Sequence, residues 1–66
     1  MKRYWLENIR KKHGMTHEEV AKISGIHRQY YSMIEAGERR PSVDTAKSIA
    51  RALGFHWPSF FEEEGN

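Results

Sequence analysis

Apolar side chains in this sequence recur three and four residues apart, and no stretch alternates residue by residue as a half-buried strand does. The pattern predicts an all-α chain. Gly14, Gly25, Gly37 and Gly54 each follow a helix-like segment, where a residue able to turn left-handed ends a helix. The first helix spans 4–12, with Trp5, Leu6 and Ile9 as its apolar stripe. Lys11 and Lys12 sit at its C-terminal end, where the helix dipole favours cations. The second has the clearest start: Thr16 and Glu19 form a capping box, and Met15 and Val20 are placed as a hydrophobic staple. It runs to Ser24 and is expected to bury Val20, Ala21 and Ile23. A third helix spans 28–36. Pro41 breaks the chain after it, and Ser42 caps a fourth over 43–53. Val43, Ala46, Ile49, Ala50 and Leu53 share one face of that helix. A short fifth helix over 57–62 starts after His56, with Pro58 fitting its first turn. There is no repeat, linker or domain boundary, so residues 1–66 are read as one domain.

The second and third helices are joined only by Gly25, Ile26 and His27, the short glycine-bent connection of a helix-turn-helix. At 100° per residue the third helix divides into two faces. His27, Tyr31, Ile34 and Glu35 cluster on the core side, with Tyr30 at its edge. Arg28, Gln29, Ser32, Met33 and Ala36 cluster on the exposed side. Arginine pairs bidentately with guanine and glutamine with adenine, and Met33 suits a thymine methyl. The plain alternative is a solvated polar face, since Arg and Gln are good helix formers anyway.

Composition narrows the function classes. A chain of 66 residues has one small core, and without cysteine it has neither a disulfide nor a Cys-based zinc site. It leaves little room for a ligand-sized pocket, which argues against an enzyme. No apolar run reaches a membrane span, and residues 1–5 lead into charged residues instead of a signal peptide, so a cytosolic protein is expected. Glu62, Glu63 and Glu64 hold three of the 9 acidic groups, so residues 1–61 carry 11 basic against 6 acidic groups, a net +5. A basic body with an acidic end over 62–66 fits a polyanionic partner.

The motifs then become specific. Leu6-x-x-Ile9-Arg10 and Gly14 precede Met15-Thr16-His17-Glu18-Glu19-Val20-Ala21. Gly25-Ile26-His27-Arg28, Ser32-x-Ile34-Glu35-x-Gly37 and Arg40-Pro41-Ser42 follow, then Ile49-Ala50-Arg51-Ala52-Leu53-Gly54 and the pair Phe60 and Phe61. This run over residues 5–61 resembles the Cro/cI-type phage-repressor helix-turn-helix family, the xenobiotic-response-element (XRE) family. The resemblance implies a compact five-helix, lambda-repressor-like DNA-binding domain of bacterial or phage origin. Its third helix would enter the major groove of double-stranded DNA. By position, Arg28, Gln29, Ser32 and Met33 would contact bases. His17, His27, Tyr30, Arg39, Arg40 and Ser42 would meet phosphates, which fix register without reading sequence. Arg10 and Glu35 match a structural ion pair between the first and third helices. Tyr31 stands where relatives have Val or Ile, and its buried hydroxyl needs a partner.

The segment 55–61 is rich in aromatic residues. Its rings seal the core or, since relatives dimerise through this end, form a dimer interface from Phe55, Trp57, Phe60 and Phe61. Phe60 and Trp57 are expected inward, with part of Phe55 or Phe61 left for a partner. The four histidines form no metal site: Gly14 separates His13 from His17, and no carboxylate or cysteine completes a set. No cofactor is implied. The expectation is a dimeric DNA-binding regulator, a repressor. An antitoxin or restriction-modification controller of the same fold, or a protein-interaction module that has lost DNA, are the alternatives.

Overall fold

The computed structural model describes residues 1–62, so Glu63 and Glu64 of the expected acidic end lie outside the described residues. Five helices follow in order: α1 (Tyr4–Lys12), α2 (His17–Ser24), α3 (Arg28–Glu35), α4 (Val43–Leu53) and α5 (Ser59–Glu62). Among the described residues there is no strand. Nor is any helix of the described residues long and apolar enough to cross a membrane.

Local signals account for most boundaries. Thr16 and Glu19 close the capping box at α2: the Thr16 hydroxyl accepts from the Glu19 amide at 3.1 Å, and Glu19 Oε1 accepts from the Thr16 amide at 2.8 Å. Ser42 caps α4 by accepting the Thr45 amide at 3.1 Å. At the bend between α2 and α3, Gly25 has φ 74°. That geometry lets the Ile26 amide donate to the Ala21 carbonyl at 3.0 Å and finish the helix.

All five helices contribute to one core. Leu6, Val20, Ala21, Tyr31, Ile34, Ala46, Ile49, Leu53 and Phe60 form it, with Trp5, Ile9, Met15, Ile26, Tyr30, Phe55, Trp57 and Phe61 packed against it. α2 lies at the centre, packed on both α3 and α4, and α1 packs on α3. Trp5, Phe55 and Phe60 meet edge-on or tilted, with ring centroids 5.1 to 5.6 Å apart.

Four sequence expectations are corrected. Ile23 is 59 % exposed, because the buried arc of α2 is Val20, Ala21 and Ser24, and Ile23 lies ~60° outside Val20. Val43 is 47 % exposed: it has the right phase, but the first turn of α4 projects past the core, which begins at Ala46. His27 is exposed and not on the core side, because it precedes the helix in extended backbone (φ −72°, ψ 145°), where a helical projection does not apply. α5 starts at Ser59 instead of 57. Residues 57–58 form a turn whose Pro58 carbonyl accepts from the Phe61 amide at 2.9 Å and the Glu62 amide at 3.0 Å.

The segment before α1 lies across the C-terminal end of α3. The Arg3 amide donates to the Glu35 carbonyl at 2.8 Å. Its guanidinium, in a residue only 6 % exposed, donates to the carbonyls of Ile34 at 2.6 Å and Arg39 at 3.1 Å. The Met1 backbone lies against Gly37 (φ 80°), where a Cβ would collide with the Met1 carbonyl.

Candidate nucleic-acid interface

The outward face of α3 carries the side chains singled out from the sequence. Arg28 and Gln29 are exposed, and Ser32 and Met33, one turn further on, are half-buried. Beside them the loop before α4 returns. Arg39 places its guanidinium 5.6 Å from the centre of the Tyr30 ring, a cation–π contact that holds the loop against α3. His27, Gln29, Tyr30, Met33 and Arg39 line an open groove of about 390 Å³. Arg40 is exposed and lies over Phe61 at 5.2 Å. Ser42 is exposed at the start of α4, its hydroxyl spent on capping, and His27 makes no side-chain cap bond.

At the first turn of α2, Arg10, Thr16, His17, Glu18 and Arg28 line a second open groove of about 390 Å³. The capping box occupies the amides of Thr16 and Glu19, leaving those of His17 and Glu18 without an intrahelical acceptor. Arg28 and Arg39 thus line two separate open grooves beside the α3 face.

Behind this face lies a charged network. Glu35 is 2 % exposed, yet all four acceptor sites of its carboxylate are filled. Arg10 donates from Nε to Oε2 at 2.9 Å and from Nη2 to Oε1 at 3.1 Å. The Tyr31 hydroxyl donates to Oε2 at 2.7 Å, the partner its burial requires. The fourth contact is His17 Nε2 to Oε1 at 3.1 Å. Burial pushes the Glu35 carboxyl up, but the hydrogen bonds from Arg10 and Tyr31 and the charge of Arg10 outweigh it, leaving it below the ordinary carboxylate range. Burial and the Glu35 charge together raise the Tyr31 hydroxyl far above its usual range, so it stays a donor.

Two placements here escape the sequence. His17 reads as an outward phosphate ligand, whereas its ring turns in: besides Glu35 it meets Ser32 Oγ through Nδ1 at 2.7 Å, and it stacks edge-on against Tyr31 at 5.4 Å. Arg3, which no sequence motif singles out, is buried. Its partners are carbonyls 31 and 36 residues away, which no local pattern signals.

In the aromatic segment, Phe60 is 0 % exposed and commits its whole surface to its own core, so it is not free for a dimer interface. Phe55, Trp57 and Phe61 are half-buried. Lys47 lies over Trp57 at 5.3 Å. No group of three or more potential metal ligands occurs among the described residues.

Comparison with known proteins points the same way. Residues 6–60 match the helix-turn-helix family profile. The HTH-type transcriptional regulator YqaF of Bacillus subtilis is 52 % identical over 66 residues, covering 100 % of this chain and 87 % of its own. The HTH-type transcriptional regulator y4dJ of Sinorhizobium fredii is 46 % identical over 46 residues, 70 % of this chain and 60 % of its own. The control protein C.SmaI of Serratia marcescens is 32 % identical over 62 residues, 89 % of this chain and 74 % of its own. With its bihelical unit, its outward α3 face and these relatives, the chain belongs to the Cro/cI-type helix-turn-helix family of DNA-binding transcriptional regulators, a family of regulators and not of enzymes.

Proposed function

We propose that this chain is a sequence-specific repressor that binds a two-fold-related site in double-stranded DNA as a homodimer, with α3 in the major groove. The observation that carries the reading is the outward face of α3: Arg28 and Gln29 are exposed at its N-terminal half, with the open grooves at Arg10 and at Arg39 beside it. Arg28 and Gln29 read base edges, with Ser32 and Met33 adding contacts one turn on. Arg39, Arg40, Tyr30, His27 and the amides at the start of α4 by Ser42 meet phosphates, as do the free amides of His17 and Glu18. A regulator of this kind works in the cytoplasm, with the DNA.

The helix count and the surface support the dimer. One chain carries one helix-turn-helix, α2 and α3, so it covers one half-site and a second chain is needed for the other. The half-buried rings Phe55, Trp57 and Phe61 are the surface proposed to join two chains. The likeness to a control protein favours, as the second reading, a controller role on the same fold.

Selection of bound duplexes from a random-sequence pool at near-physiological salt tests the proposal. The expected result is two inverted half-sites one helical turn apart. Retention of duplexes without any enriched sequence would contradict it.

A further inference from the structure

The orientation of one hydroxyl on the recognition face is set from behind it, and this inference rests on the DNA-binding reading above. Glu35 is held ionised by Arg10 and Tyr31, so its oxygens only accept. The atom 3.1 Å from Oε1 is His17 Nε2, which must therefore carry a proton to make that contact. In the neutral imidazole the other nitrogen is then an acceptor. Ser32 Oγ lies 2.7 Å from Nδ1, so the hydroxyl proton points at the ring. Ser32 sits one turn along α3 from Arg28 and Gln29 on the outward face and is only half-buried. With its proton spent on His17, it turns only oxygen lone pairs toward the groove.

We infer that His17 is a positioning residue that makes Ser32 an obligate hydrogen-bond acceptor, so that Ser32 selects a base offering an exocyclic amino group, adenine or cytosine, at one position of each half-site. A serine free to rotate donates as readily as it accepts and so discriminates poorly. The relay Glu35–His17–Ser32 removes that ambiguity. The major groove offers amino donors only from adenine N6 and cytosine N4, while guanine O6 and N7 and thymine O4 accept. A Ser32 with its lone pairs outward meets guanine or thymine as acceptor against acceptor. Arg10, from α1, takes part by holding the Glu35 end of the relay, and Tyr31 by closing its remaining acceptor site.

The test has an arm in the free protein and an arm on DNA. In the free protein, two-bond proton–nitrogen correlation NMR of the histidine rings at neutral pH should show His17 protonated at Nε2 alone. A ring protonated at Nδ1 alone, or at both nitrogens, would overturn the inference. On DNA, random-pool selection is run on the wild type, Ser32→Ala and His17→Phe, with thermal melts confirming that each chain is folded. The wild type should prefer adenine or cytosine at one position per half-site by about fivefold, the scale of one net hydrogen bond. Both variants should lose that preference, His17→Phe by freeing the hydroxyl to donate and so admitting guanine and thymine. A wild-type site that both variants leave unchanged overturns the inference while the DNA reading stands. A wild type that selects no site overturns the DNA reading, and the inference with it. If His17→Phe does not fold, the tautomer and the Ser32→Ala selection decide.

Discussion

At the residue scale, Glu35 is the most consequential side chain in the molecule. It is buried, charged, and satisfied four times over by groups from α1, α2 and its own helix. Removing one partner from a buried ion pair leaves a charge with nothing to replace its lost solvation. Arg10→Ala should therefore cost about 3 kcal/mol in urea denaturation. A loss within about 0.5 kcal/mol, the scale of ordinary surface substitutions, would contradict it. The sign of the pH dependence follows from the lowered carboxyl. The folded state holds the Glu35 carboxyl below its ordinary range, so its stabilisation is complete above that range and is lost as pH falls through the lower folded value. Denaturation midpoints measured downward from neutral pH should fall in that acid window. Glu35→Gln, less stable at neutral pH, should fall less over the same window. Ser24 is the opposite case: its Oγ is buried without a hydrogen-bond partner. Ser24→Ala should leave stability unchanged or raise it by about 1 kcal/mol, since the lost group made no bond and was costly to bury. A marked loss would mean that the hydroxyl has a partner in solution.

Among elements, what could be read from the sequence was what is local in the chain. The capping box of Thr16 and Glu19, the Ser42 cap, the apolar phase of α4 and the glycine at the bend each depend on residues within four positions of one another, and each stands in the structure. Ile23 and Val43 fail because periodicity gives the phase of a helix but not which arc or which end a neighbour covers. The site divides along the same line. The residue types on the outward α3 face were legible by projection. The turn of His17 toward Ser32 and Glu35 spans 15 and 18 residues, and the placement of Arg3 spans 31 or more, so neither leaves a local signature. The bend between α2 and α3 can be tested directly. Gly25 has a left-handed φ of 74° with open space where a Cβ would stand. Gly25→Ala should thus cost only the backbone term, about 1–2 kcal/mol, with the fold intact by circular dichroism. A loss well beyond that would mean that the position is sterically closed.

For the whole molecule, the cationic and aromatic surfaces adjoin. The loop before α4 packs Arg39 on Tyr30 of α3 and Arg40 on Phe61, so it joins the α3 face to the half-buried rings of 55–61. The cations of the loop should act through phosphate. Arg39→Ala is expected to weaken binding to all duplexes alike and to lower the slope of log affinity against log salt by about one. A loss confined to one base position would instead make Arg39 a reader of sequence.

Whether α3 reads bases is decided at Arg28. Affinities of the wild type and Arg28→Ala would be measured by fluorescence anisotropy. The duplexes are the selected site and its full set of single-base-pair substitutions. Arg28→Ala should erase about 1–3 kcal/mol of discrimination at one base pair and leave the other positions as they were. An equal weakening on every duplex, with discrimination retained at every position, would contradict it and reduce Arg28 to a phosphate contact.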